Sequence, residues 1–273
     1  MPIKRGEVES DRIAFEFIEY DPLPEGFRAI IREGSLDVAE MALVTHLLAK
    51  KFGKPLTAIA VPVWGRLHHS NLICLATSAL RGPKDLENRK VGVRAYSQTT
   101  GVWIRGILKT KYGVDLDSIT WVTLEDSHVA EHRDPANVIR DTSGRNLREL
   151  LHAGEVVAIM GERNVEPQSV RTVIPDADRV GQEWARQAGV FPINHIISVK
   201  SELISDHPWL GGELMRVFEE ARARSVASGV TALPYGFEAN RASMQMLCGF
   251  AADQKLTESE YQVADLFWRE AGE

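Results

Sequence analysis

The sequence predicts an α/β protein built as two lobes around a cleft, on three observations. Short apolar runs alternate with helical patterns along most of the chain, which implies mainly parallel sheets covered by helices. Two apolar segments, residues 72–76 and 189–200 (GVFPINHIISVK), read as crossings between lobes. Between them lies KVGVRAYSQTTGVWIRGILKTKY, residues 90–112, which reads as a strand, a polar turn and a helix in succession.

That turn is Ser97, Gln98, Thr99 and Thr100. The first N–H groups of a helix have no partner inside it, and the positive end of the helix dipole lies behind them. The turn is therefore suited to an anion, a carboxylate above all. The same hydroxyls are equally able to cap their own helix.

Taken in order, residues 13–18 (IAFEFI) read as a strand and residues 26–33 as a short helix. Residues 36–39 read as a second strand, with Glu40 at its carboxyl end. A helix over residues 42–51 stops at Gly53, and the apolar run 56–63 follows Pro55. WGRLHHSN, residues 64–71, then brings Arg66 and His69 to a strand end, where ligands lie in open α/β sheets. A helix start near residues 84–86 precedes the segment 90–112. A strand at 120–123, a polar loop at 125–145, a helix at 147–152 and a strand at 156–160 come next, the last delivering Gly161, Glu162 and Arg163. Residues 180–188 and 206–227 read as helices, and further helices over 238–271 are expected to pack on the first lobe. The lobes are thus residues 1–76 with 197–273, and 77–196, with crossovers near 70–78 and 189–198.

Composition narrows the partners. Of 273 residues 44% are hydrophobic and 26% charged, an ordinary balance for a soluble protein. The 32 Lys and Arg against 38 Asp and Glu leave 32 − 38 = −6, and no basic run stands out. Nucleic acid is an unsuitable partner, and an anion must be held by local groups. No apolar run has the length of a membrane span or of a signal-peptide core, so a cytoplasmic location is predicted, and a periplasmic one only if a longer N-terminus carries a signal. Cys74 and Cys248 read as buried free thiols, which suits a reducing compartment.

His128, Glu131 and His132 spell H-x-x-E-H, the order found in a class of zinc peptidases. Asp126 and Ser127 before it, and Asp134 and Pro135 after it, leave room for barely two helical turns, and no third ligand is evident. The stretch reads as a solvated loop and no metal site is assigned. Phosphate-loop, dinucleotide and nucleophile-elbow signatures are absent.

A family resemblance adds to this. SLDVAE (35–40), His69-Ser70, VGVRAYSQTTGVWIRG (91–106), FPINH (191–195), HPWL (207–210) and LPYG (233–236) resemble the 4,5-dihydroxyphthalate decarboxylase family, in the same order over nearly the whole chain. The resemblance implies the two-lobed periplasmic-binding-protein-like fold of type II, with two crossover segments and a cleft between lobes. Departures from the family pattern fall at Arg94-Ala95, where Pro-Glu is usual, at His68, where Arg is usual, and at Asn194, where Met is usual. The family fold ordinarily opens with a strand and turn beside IAFEFI, and this chain starts after them. Either the start is placed too late, or the first lobe lacks a central strand and exposes sheet edge and apolar surface.

For chemistry, the resemblance implies non-oxidative loss of CO2 from a hydroxylated aromatic acid. A ring hydroxyl pushes electron density to the carbon bearing the carboxylate, a proton is delivered there, and CO2 departs. On this reading His69 or His195 donates or relays the proton, and Glu40 accepts a phenolic proton or orients a histidine. Ser97, Gln98, Thr99 and Thr100, with Arg66 or Arg163, hold the retained carboxylate, and Tyr96 lines the ring face. Arg105 also matches the family motif and reads equally well as a solvated surface charge. No organic cofactor is required; a divalent ion is compatible, but no ligand cluster calls for one. The competing expectation is a non-catalytic solute-binding protein that closes on a small organic anion, like the binding component of an ABC transporter. The histidines at the crossings favour chemistry. Expected partners are a small aromatic carboxylate or other organic anion, with no nucleic acid or membrane, and a homo-oligomer is compatible.

Overall fold

The computed structural model describes residues 1–162, 166–229 and 233–269. Pro24 in the first turn and Gly34 in the left-handed conformation (φ 61°) bracket α1 (Pro24–Glu33). β1 (Val38–Ala42) runs without a loop into α2 (Leu43–Lys51), so the carboxyl end of the strand is also the start of the helix. Glu40 consequently lies inside the strand, not at its end. Then come β2 (Leu56–Gly65), β3 (Leu72–Leu75), β4 (Lys90–Val93), α3 (Thr99–Tyr112), β5 (Thr120–Thr123), β6 (Val138–Arg140) and α4 (Leu147–His152). The chain continues through β7 (Ala158–Met160), β8 (Val170–Thr172), α5 (Ala177–Ala188), β9 (Ile193–Lys200), α6 (Ser201–Asp206), α7 (Leu210–Ala227) and α8 (Phe237–Asp253).

Two sheets result. The smaller has the order β1-β9-β2, with β9 antiparallel to both neighbours. Pro62, unable to donate to a ladder, sits on the edge strand β2. Register shifts between Ile59 and Pro62, Pro62 and Trp64, and Trp64 and Gly65 re-aim the end of β2 and set Trp64 opposite His195. The larger sheet has the order β6-β5-β4-β7-β3-β8; β4 is parallel to β5 and β7, β5 is parallel to β6, and β3 is antiparallel to β7 and β8. The smaller sheet is antiparallel and the larger one mixed, where the alternation of elements suggested mainly parallel ones. The reason is the crossings: β3 and β9 each enter a sheet from the other lobe and so run against their neighbours.

The chain changes sheet at residues 66–71 and again at 189–192. Residues 72–75, read from the sequence as a crossing, are a strand of the larger sheet, and His68 and His69 occupy the crossing itself. Residues 13–18 alternate like a strand but join no ladder: Ile13 and Phe15 pack near α7 while Phe17 and Ile18 stay exposed. Alternation marks a strand only where a neighbouring strand takes up the backbone bonds. The long helix expected over 206–227 is broken before Pro208, which disfavours helical backbone in His207. Among the described residues, no helix is long and apolar enough to cross a membrane. Both cysteines are free and buried.

α8, expected on the first lobe, also lies across α3 of the second. Gly106 is what admits it: a Cβ there would stand 2.1 Å from Cδ2 of Phe250. Gly106→Ala is therefore expected to overpack this contact and lower stability by about 2–3 kcal/mol. The check is a lower urea midpoint at unchanged slope; an unchanged midpoint would show that the two helices separate freely.

Candidate active site

The β1–β9 ladder sets Ala42 opposite His195. Residues two apart on a strand share a face, so Glu40 and His195 are diagonal neighbours within side-chain reach. Glu40 Oε1 lies 2.5 Å from His195 Nδ1. A carboxylate in that place accepts the Nδ1 hydrogen and fixes the ring, leaving Nε2 as the atom that meets a substrate. Trp64 packs 4.9 Å from the imidazole and Phe27 meets it edge-on at 5.3 Å. The Arg66 guanidinium lies over Trp64 at 5.1 Å. The His195 side chain is 16% exposed and that of Glu40 35%, so solvent reaches this pair.

The Ser97–Thr100 corner approaches the same place from the larger sheet. The residues that precede α3 and α2, Gln98 and Ala42, make no side-chain cap of their own. Thr99 Oγ1 instead accepts the Val44 N–H of α2 at 3.2 Å, and Thr100 Oγ1 accepts from Asn194 Nδ2 at 3.1 Å. The hydroxyls thus tie two helix starts to each other and to the residue beside His195. Among the described residues no side chain caps the first-turn N–H groups of α3, and two positive dipole ends converge. The Gln98 side chain lies on Gly161, whose φ of 80° favours glycine and where a Cβ would stand 3.3 Å from Gln98 Nε2.

Other expected site residues lie elsewhere. His69 turns onto α5, its ring 5.4 Å from Trp184 and packed on Gly181, with no hydrogen-bond partner on either nitrogen among the described residues. Burial pushes its pKa down to about 4. It does not join Glu40 and His195. Its neighbour His68 is fully buried, stacked on Trp103 and bonded to Asn194 Oδ1 at 2.9 Å; burial, aided by Arg66, lowers it to about 3. The Tyr96 ring is in the core beside Trp121, its hydroxyl donating to the Gln254 carbonyl at 3.3 Å, so it does not line a ligand face. Arg105, read as a possible surface charge, is wholly buried. Arg163 lies outside the described residues.

The histidine that does approach the pair is His128. The H-x-x-E-H loop is turned inward, with Ser127, His128, Val129 and His132 buried. His132 pairs with Asp134 at 3.2 Å, and among the described residues no three His, Cys, Asp or Glu side chains are grouped as metal ligands. His128 Nδ1 lies 2.8 Å from Thr45 Oγ1 of α2, and its ring meets Phe27 at 5.5 Å, the same ring that meets His195. Burial first, then Arg94, Arg28 and Arg32, lower its pKa to about 3, so it is neutral. Its Nε2 is buried without a partner. The loop is strapped to the first lobe: Glu125 pairs with Arg28 of α1 as well as with Arg94 (2.7 Å), Arg32 donates to the carbonyls of His128 (2.9 Å) and Ser127 (3.1 Å), and Lys54 pairs with Glu131 at 2.5 Å. Nothing periodic in the polar stretch 125–145 announces this inward turn.

Two sheets, two crossings and a site where they meet define a two-lobed periplasmic-binding-protein-like fold of type II. Solved structures agree on that fold. The alkanesulfonate-binding protein SsuA from Xanthomonas axonopodis pv. citri, bound to MOPS, is similar with a TM-score of 0.57 at 17% identity, over 92% of this chain and 86% of that one. The desulfurization enzyme DSZB is similar with a TM-score of 0.53 at 14% identity, over 91% and 92%. A curated protein of Comamonas testosteroni named 4,5-dihydroxyphthalate decarboxylase is 30% identical over 237 residues, 81% of this chain and 71% of that protein. One of the same name from Pseudomonas putida is 29% identical over 171 residues, 59% of this chain and 66% of its own length. The chain belongs to the 4,5-dihydroxyphthalate decarboxylase family. No family model matches it.

Proposed function

We propose that the protein is a carboxy-lyase that removes CO2 non-oxidatively from a hydroxylated aromatic acid of the 4,5-dihydroxyphthalate type. The observation that carries this is the solvent-reachable Glu40–His195 pair beside an uncapped helix start, in a chain belonging to a decarboxylase family. Capture of an anion needs donors but no titrating dyad, whereas protonating a ring carbon does. In the reaction, a ring hydroxyl feeds electrons to the carbon bearing the leaving carboxylate, and His195 Nε2 delivers a proton there. The carbon–carboxyl electron pair returns to the ring as CO2 leaves. Glu40 holds the imidazole and stabilises its charged form. The α3 start, with Arg66, holds the retained carboxylate, and neutral His128 hydrogen-bonds a ring hydroxyl. On this reading the ring is its own electron sink and no organic cofactor is needed. The same reading assigns the protein to aromatic compound catabolism in the cytoplasm, which the two buried free thiols suit.

A binding protein is the second reading, supported by the likeness in fold to a sulfonate-binding protein. The test is incubation with a panel of hydroxylated phthalates and benzoates, following thermal shift and CO2 together. Stabilisation with CO2 release is the expected result. Stabilisation without CO2 across the panel would replace the enzyme by the binding protein.

A further inference from the structure

We infer that Arg105 is a positioning residue for the bound anion, its buried guanidinium charging the start of α3 from behind. The side chain has 0% exposure. Its Nε donates to Gln254 Oε1 at 2.7 Å and its Nη2 to the Tyr96 carbonyl, immediately before the Ser97–Thr100 corner. The guanidinium lies 4.0 Å from the Tyr96 ring centre and 5.3 Å from that of Trp121. Its Nη1 is buried with no acceptor among the described residues and lies 3.0 Å from where a Cβ on Gly101 would stand, against the first turn of α3. A side chain at 101 would crowd that approach, meeting Val93 as well at 3.1 Å.

Among the described residues no carboxylate pairs with Arg105; Asp134 favours its charge only through space. Burying an ion without a partner is costly, and a neutral side chain of similar length would fill the same space without that cost. What a neutral side chain lacks is the field. A full positive charge in a low-dielectric interior adds to the partial positive charge of the helix start, where the anion is to sit. Burial lowers the guanidinium pKa, yet arginine starts so high that it stays protonated at neutral pH. Tyr96, Trp121 and Gln254 make the buried cation tolerable, which gives these residues their place in the fold.

The inference rests on the cleft being an anion site and not on the decarboxylation. The experiment compares Arg105→Met, which keeps length and loses charge, with Arg105→Lys, which keeps charge and loses the fork. Binding of 4,5-dihydroxyphthalate is measured by calorimetry, alongside CO2 release and urea stability without ligand. The Met variant is expected to bind the dianion about tenfold or more weakly. KM should rise with little change in kcat, because the charge acts on ground and transition states alike. The Lys variant should recover most of the affinity. A Met variant that binds like wild type, or a Lys variant as impaired as the Met one, would overturn the inference and leave Arg105 a brace. Should the Met variant not fold, Arg105→Gln takes its place, keeping hydrogen-bonding groups and losing the charge. It should weaken the dianion by a similar factor, and unchanged binding there overturns the inference equally. If wild type binds the dianion without releasing CO2 and the Met variant loses it, the decarboxylase reading falls while the role of Arg105 stands. If wild type binds no dianion, both fall.

Discussion

His195→Ala is expected to reduce CO2 release by about a thousandfold or more while the ligand still binds, since it removes the group placed to carry the proton. Glu40→Gln should cost roughly a hundredfold, because the amide oxygen can still accept from Nδ1 but brings no charge to stabilise the charged ring. The two effects should not add, because Glu40 acts through His195. His69→Leu is the control, since that ring is buried on Trp184 and Gly181 without a polar partner among the described residues; turnover should stay within about threefold of wild type. Single-turnover CO2 release with calorimetric binding separates these outcomes. Undiminished turnover in His195→Ala would remove the dyad from the chemistry.

Acid is the second large effect. His46, His68, His69 and His128 are buried, and burial is the first cause lowering each, to about 4, 3, 4 and 3. In the unfolded chain each titrates near 6.5. Between those values the unfolded state binds protons that the native state refuses. Stability is therefore fully present above about pH 6.5 and falls as the pH drops toward the native values. At pH 5 each imidazole costs up to about 2 kcal/mol, and four together rival the whole stability of an ordinary domain. Calorimetry should show Tm falling steeply from pH 6.5 to 4.5, with His69→Leu recovering part of the loss. A flat Tm over that range would mean that these rings take up protons in the folded protein.

Much of this was legible where local signals agree. β5 and α4 fall where their periodicity and flanking turns put them, and the Ser97–Thr100 corner precedes α3 as read. Glu40 reads as a strand-end carboxylate and His195 as a histidine of a crossing, but their pairing follows from an antiparallel register that no local pattern encodes. Residues 13–18 show the limit from the other side, since perfect alternation makes no strand without a neighbour. Arg105 looked like a surface charge because the groups that accommodate it, Tyr96, Trp121 and Gln254, are scattered along the chain. His128 was hidden by the polarity of its loop, whose charged residues turn out to grip α1 instead of water.

That grip has a consequence for how the lobes part. Ser97, Thr99 and Thr100 are almost wholly covered while the loop from Glu125 to Glu131 is fastened to Arg28, Arg32, Thr45 and Lys54. Parting the two lobes on this side requires several of these fastenings to let go together. The mixture of ion pairs and carbonyl bonds among them makes that parting sensitive to ionic strength.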